Sequence, residues 1–468
     1  MSQKNTHLMP DENAFQNNLT RRKRIGFFSQ ALFILAIAIG VLSLIALFLN
    51  IANDAVGAVA IHYTVDPASL TDGLPPESLH TLSDEALIDI LVTHSGSRLR
   101  VYIRDYLSVL PTDQFSAGTT REIMGAGLLL PAGTDDTLLK ALSPHQQAQL
   151  IVTHMDKQAL EELIIHDIIQ PRIVKSWPLN RSLFDWDGIQ AEYAALASHK
   201  PDKYAGAELT RFHLWLSPDF VSAPMSSRPE LAGIRTAILG TLNLMLYVII
   251  FSLPVGLGTA IYLEEYAEKN RFTELIETNI RNLAGVPSII YGILGLAIFV
   301  RALEPLTSGA LFGVLDSNGR TLLSAGLTLS LLVLPLIIIN AQEALRSVPW
   351  TLREASFGLG ATRWQTIWRV TLPAAIPGIM TGAILSISRA IGETAPLIVV
   401  GASTFILTDP TGPFCKFTVV PMLIYDWTSR PQDEFRHLAA AAIVILLLLM
   451  LTFNAIAIIL RNRYKIQY

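Results

Sequence analysis

The chain of 468 residues has a single cysteine, Cys415, so no disulfide can form within it and a disulfide-stapled scaffold is excluded. Charge is scarce as well. Asp, Glu, Lys and Arg make up 16% of the residues, against roughly 25% in ordinary soluble domains. Together with 51% hydrophobic residues, that shortage disfavours a soluble enzyme and a disordered chain alike. The common catalytic signatures are absent too. The nearest approach to a G-x-x-x-x-G-K-[ST] loop runs from Gly313 to Gly319-Arg320-Thr321, one residue too long and with Arg in the place of Lys. Neither G-x-S-x-G nor H-E-x-x-H occurs. The chain is therefore expected to be non-enzymatic, which leaves a carrier, a channel, a sensor or the membrane half of a motor-driven pump.

What is present is a set of long apolar runs. Ile25–Leu49 follows the basic block Arg21-Arg22-Lys23-Arg24, and Thr236–Leu263, Asn282–Val300 and Thr321–Gln342 follow after a long gap. Val370–Ser388 continues past Arg389 and Glu393 to about Gly401, and Leu438–Leu460 comes last. Runs of about 18 or more residues can cross the hydrocarbon core as helices, so the reading is an all-α polytopic membrane protein with six transmembrane helices. Lys and Arg number 15 on the side of the N-terminus, the 264–281 and 343–369 loops and the C-tail, against 5 in the short loops 301–320 and 409–436. By the positive-inside rule both termini are expected in the cytoplasm and residues 54–230 outside. Ala58-Val59-Ala60 resembles a signal-peptide cleavage site, but a signal-peptide core is about 7–15 residues, shorter than Ile25–Leu49.

The expected organisation is a basic N-terminus at 1–24, a first transmembrane helix at 25–53, an external domain at 54–230, a core at 231–462 with the remaining five helices, and a tail at 463–468. The external segment carries 13 basic and 23 acidic residues, and the rest of the chain 22 and 16, so the two parts suit different surroundings. Leu82–Val92 and Leu150–Ile169 have helical apolar spacing, Gly57–Val65 alternates as a strand, and Ser226–Glu230 reads as a linker. A mixed α+β, helix-leaning domain between helices 1 and 2 follows. Glu162 and His166 stand four apart on a helical segment and face one way, yet no recognised metal spacing accompanies them. A solvated acidic helix face is the reading, with no metal site. The domain's negative charge also disfavours electrostatic capture of a free anion, so a protein-contact role fits better.

The loop before the fifth run carries the most specific pattern. Glu354-Ala355-Ser356-Phe357-Gly358-Leu359-Gly360 is followed, after nine intervening residues, by Val370-Thr371-Leu372-Pro373. This resembles the E-A-A-x3-G-x9-I-x-L-P coupling loop of binding-protein-dependent ABC importers of type I, with Ser for the second Ala and Val for Ile. Pro349 suits a helix start, Gly358 and Gly360 permit a turn, Trp364–Trp368 begins a second short helix, and Pro373 opens the next span. The loop 343–373 thus reads as two short helices at a fixed angle, and Glu354, Ala355, Ser356, Gly360, Leu372 and Pro373 are its marker residues.

Asn282–Gly292 and Arg389–Leu397 resemble the phosphate-transport permeases, the PstA branch more than PstC, as does Phe417–Trp427. The resemblance covers about 231–460 and the first span; the external domain is similar only to an extended form of that family. It implies a permease for inorganic phosphate in the bacterial inner membrane, worked by alternating access and without an ATPase site of its own. ATP and Mg²⁺ would sit on a partner ATPase dimer (PstB-like), beside a second permease (PstC-like) and a periplasmic phosphate-binding protein (PstS-like). Arg389 and Glu393 are candidates for the substrate path, because ionisable groups within spans usually face a bundle interior or a water-filled cavity. The alternatives are import of another oxyanion, such as sulfate, molybdate or a phosphonate, and a membrane sensor or scaffold.

Overall fold

The computed structural model describes residues 12–65, 70, 82–96, 98–103, 143–155, 157–204, 206–314, 318–406 and 408–463. Parts of the expected basic N-terminus, the 54–230 segment, the Gly313–Gly319 stretch and the tail therefore lie outside the described residues. The side chains of Glu162 and His166 do so too. Among the described residues no group of three His, Cys, Asp or Glu side chains is placed to hold a metal ion.

The first helix, α1 (Glu12–Ala55), runs straight into a strand, β1 (Val56–His62). This strand is the middle of a three-stranded antiparallel sheet, flanked by β2 (Arg172–Pro178) and β3 (Glu208–Leu214). Ala58, Val59 and Ala60 are fully buried there, so the residues that resemble a cleavage site are the core of a sheet. Between β1 and β2 stand α2 (Asp84–Ser95), α3 (Pro144–His154) and α4 (Lys157–Ile164). Leu87, Leu91, Leu150, Ile151, Leu160 and Ile164 form one buried cluster among them. The expected single helix over Leu150–Ile169 is instead two pieces: α3 is opened by a Ser143 capping box and stops at Met155, and α4 restarts the helix.

The sheet is covered on both faces. Ala58, Ala60, Val174 and Trp177 pack against Ile189 of α6 (Trp186–His199), which follows a short helix α5 (Leu179–Phe184). Val59, Ile173 and Trp215, on the opposite face, share a core with Ile234, Ala237, Val420, Leu423, Trp427, Phe435 and Leu438. The sheet and the helical core are therefore one packed body. The expected linker at Ser226–Glu230 is part of the packing: Met225 and Ala232 on either side of it are buried, and a Glu230 carboxylate oxygen accepts a 2.7 Å bond from Ile173 N–H.

A histidine sits at this junction. His437 Nδ1 lies 2.6 Å from the Asp54 carbonyl and Nε2 lies 3.1 Å from Ser176 Oγ. Its ring stacks on Trp215 at 5.2 Å, and His213 meets the same indole edge-on at 5.0 Å. Burial first, and the nearby His437 second, pull the His213 proton affinity below the ordinary histidine value. The folded state then holds His213 neutral while the unfolded chain takes up a proton near pH 6.5. The stabilisation is present in full above that pH and is lost as pH falls towards the depressed folded value. The melting temperature of the chain in detergent, followed by tryptophan fluorescence, is expected to drop between pH 7 and pH 5.5. His213→Gln should flatten the drop; an unchanged acid slope in that variant would show that His213 does not set it.

Among the described residues five helices are long and apolar enough to cross a membrane: Arg21–Ala55, Arg235–Tyr266, Leu322–Arg346, Arg363–Gly392 and Asp433–Arg463. They contain α7 (Arg235–Ile261), α10 (Leu322–Arg346), α12 (Leu372–Gly392) and α14 (Asp433–Arg463). The expected third span, Asn282–Val300, departs from a single helix. Here α8 (Arg271–Ala284) and α9 (Ser288–Gly295), which runs on to Ala302, meet at 105°. Pro287 has no N–H and forces Val286 out of the helical region, so the chain turns at Gly285–Pro287. Tyr291 Oη donates to the Leu283 carbonyl at 2.7 Å across the bend and holds it. Among the described residues the count is therefore five unbroken helices, or six if the bent pair makes one crossing.

The helices approach through small residues. A methyl at Gly378 would lie 2.8 Å from Ala344 Cβ, and one at Gly382 would press on Asn340 one turn further along. This Gly-x-x-x-Gly pair lets α12 lie close against α10, as small residues do between membrane helices. Pro254, Pro335 and Pro377 sit inside continuous helices, whereas Pro287 and Pro396 stand at breaks.

Candidate coupling and translocation sites

The marker loop lies at the end of the helical core opposite the sheet. α11 (Trp350–Gly358) begins just after Pro349, which caps it from outside. Gly360 then takes φ +83°, the left-handed conformation that glycine adopts without a Cβ penalty. Thr362 and Gln365 close a capping box, and a helix starts at Arg363. This second helix is not short. It runs from Arg363 to Gly392 without a break, through a π-helical turn at Ile367–Thr371, so Pro373 lies inside it and does not open the span. The wider π turn just before Pro373 relieves the ring's clash with the carbonyl four residues back.

Glu354, Ala355 and Gly360 are exposed on the loop, and half-buried Ser356 bonds across the turn to Thr366 Oγ1 at 2.9 Å. Leu372 packs into the cluster formed by Leu263, Leu345, Val348 and Ala375. The sequence pattern does not point to the residue that fixes the loop, Arg353. Its guanidinium is buried, with Nε and Nη2 on Glu265 Oε1 at 3.2 and 2.8 Å. The remaining donors reach the carbonyls of Val348 at 2.8 Å and Leu345 at 2.9 Å. Glu265 stands at the end of the helix Arg235–Tyr266, so the ion pair ties α11 to a second span. Arg346 adds contacts to Glu264 at 2.7 Å and to Glu277 of α8 at 3.5 Å. Around this frame Trp350, Leu359, Trp364 and Trp368 are exposed, the last two indoles stacked at 5.6 Å.

Arg389 and Glu393 lie at the other end of the same helix, about 24 Å from Pro373 at the α-helical rise. Arg389 Nε is 3.4 Å from Glu393 Oε1, the arginine half-exposed and the carboxylate mostly covered. The expectation that the span continues to about Gly401 is not met. The helix ends at Gly392, Glu393 is extended at φ −78° and ψ 124°, and α13 (Ala395–Val400) is a separate piece. Pro396 favours the break: it has no N–H to give the Gly392 carbonyl and its ring crowds that carbonyl, whereas it fits the first turn of a new helix. α13 lies hard against α9, where a methyl on Gly292 would come within 2.7 Å of Pro396 Cα. The stretches Asn282–Gly292 and Arg389–Leu397, far apart in sequence, therefore pack together beside the break.

Residues 252–466 match the family of binding-protein-dependent transport system inner membrane components. The phosphate transport system permease protein PstA of Yersinia pestis is 33% identical over 239 residues, which is 50% of this chain and 75% of that protein. The chain belongs to the PstA family of ABC permeases. PstA 1 of Mycobacterium tuberculosis (strain ATCC 25618 / H37Rv) is 38% identical over 201 residues, 43% of this chain and 60% of that one. The probable ABC transporter permease protein YqgI of Bacillus subtilis (strain 168) is 35% identical over 183 residues, 39% of this chain and 58% of that one. The chain thus spans about 60% of the length of these last two relatives. Like other PstA-type permeases it is a multi-pass membrane protein built on spanning helices.

Proposed function

We propose that the chain is a permease subunit of an ABC importer for inorganic phosphate, in the bacterial inner membrane, with both termini cytoplasmic and residues 54–230 periplasmic. The observation that carries the reading is the single helix Arg363–Gly392, which joins the coupling-loop markers at one end to Arg389 and Glu393 at the other. A push on the loop is then a displacement of the break. The ion pair Arg353–Glu265 makes the loop move with the second span, so the two helices shift as one rigid unit.

In this account the exposed Trp350, Leu359, Trp364 and Trp368, with Glu354, Ala355, Ser356 and Gly360, form the surface held by a PstB-like ATPase dimer. ATP and Mg²⁺ sit on that partner, and this chain supplies no catalytic group. A PstC-like permease completes the pathway and a PstS-like protein delivers phosphate at the sheet end. Arg389, half-exposed beside a weak 3.4 Å contact, meets the anion, and Glu393 takes the guanidinium back when the anion leaves. Exchange of one carboxylate partner for a phosphate oxygen keeps the guanidinium paired at every step. The PstA relatives favour phosphate over the other oxyanions.

Replacing Arg389 with Gln is expected to abolish labelled phosphate uptake in whole cells while the chain still assembles with an ATPase subunit. Normal uptake by that variant would remove Arg389 from the pathway.

A further inference from the structure

We infer that the sheet domain rests on the bilayer, through an apolar ledge formed by Leu183, Phe184, Phe212 and Leu214 beside the end of α1. All four side chains are exposed, Phe184 by 89%. The ledge sits where the first helix leaves the membrane. Asn180 N–H donates to Asn53 Oδ1 at 2.8 Å, which pins the start of α5 to the last turn of α1. Leu214 pairs with Val56, the first residue after that helix, and Trp215 N–H donates to the Ala55 carbonyl at 3.2 Å.

The polar side of α5 is already engaged, so its apolar end is what remains outward. Arg181 bonds Glu192 at 2.8 Å and Asp185 at 3.1 Å. Arg211 joins α5 to β3: its Nε donates to the Ser182 carbonyl at 3.1 Å, and its guanidinium lies 5.3 Å from both the Trp186 and Phe212 rings.

Lipid is the occupant that these neighbours specify. The α1 surface is exposed from Arg21 to Asn50, including Phe48 and Leu49 shortly before the ledge. Ile25–Leu49 spans on the order of 37 Å at the helical rise, more than the roughly 30 Å core, so its outer end reaches the headgroup layer and the last turn of α1 lies at its outer edge. Aromatic rings beside a cation, with apolar bodies and a polar rim, are the chemistry of that layer. The ledge follows the exposed side of α1 after the single half-buried turn 51–55. It would fix the height of the domain over the pathway and share the load on the His437 junction.

The test uses the full chain in lipid nanodiscs on a Cys415→Ser background, which removes the only cysteine. A nitroxide is placed through Phe184→Cys, and its collision rates with oxygen and with a polar nickel chelate are measured. Ile45→Cys on α1 and Ser198→Cys on α6 give the lipid and solvent references. The label at 184 is expected to favour oxygen over nickel several-fold more than the label at 198, approaching the value at 45. A nickel-dominated ratio, or low rates for both reagents as under a protein cover, would overturn the inference. Leu214→Cys gives the same readout from the opposite side of the ledge if the first variant folds poorly.

Discussion

Replacing Arg353 with alanine is expected to destabilise the chain by about 3–5 kcal/mol, the range found when one partner of a buried ion pair is removed. The guanidinium and the Glu265 carboxylate are both almost out of solvent, with side chains 6% and 11% exposed. Alanine would strand that carboxylate, take its side-chain donor from the Val348 carbonyl and leave the Leu345 carbonyl with backbone donors alone. Lysine would not restore them, because one ammonium cannot reproduce a planar fork that serves a carboxylate and two carbonyls at once. Melting curves in detergent for Arg353→Ala, Glu265→Gln and the double variant would measure the pair. The double variant should be markedly more stable than the sum of the two single losses predicts. Additive losses would mean that the two groups do not meet. Transport should fall further than stability does, because a loop cut free from the second span turns without moving it.

Replacing Gly292 with valine is expected to disrupt the contact between α9 and α13. The first atom added would sit 2.7 Å from Pro396 Cα and 3.0 Å from the Pro396 carbonyl oxygen, both backbone and unable to rotate away. Overpacking a tight site typically costs about 1–3 kcal/mol, and here the strain falls directly on the break that holds Glu393. Reduced recovery of monodisperse protein, a lower melting temperature and lost uptake should appear together. A valine variant with the parent melting temperature would show that the two stretches are not packed this way.

Much of this organisation is legible in the sequence, and the parts that are not share a cause. The straight spans follow from length and apolar content, which need only local composition. Asn282–Val300 satisfies the same test and still bends, because Pro287 and the Tyr291 bond act on geometry that a hydropathy count does not see. Alternation over Gly57–Val65 points to a strand, which runs over Val56–His62, yet Ala58, Val59 and Ala60 are buried on both faces of the sheet. β2 and β3, with Lys175, Arg211 and His213 among their residues, carry no clean alternation.

The loop markers stand out because their spacing is fixed, whereas Arg353 finds Glu265 across 88 positions and no local pattern reports that pairing. The adjacent acids Glu264 and Glu265 at the end of an apolar run are the trace it leaves. The Gly378-x-x-x-Gly382 pair was readable as a close-packing signal within the fifth run. Arg389 and Glu393 were found by their charge within an apolar run; the break between them and α13 required Pro396 to be weighed as a helix start.

The most direct test is uptake of labelled phosphate at low micromolar concentration, in cells lacking this chain and in the same cells with it restored, with unlabelled sulfate and phosphonate as competitors. The account predicts that uptake disappears on deletion, returns on restoration and ignores both competitors. Restored uptake that sulfate or phosphonate suppresses, or uptake unchanged by the deletion in cells with no second phosphate importer, would contradict it.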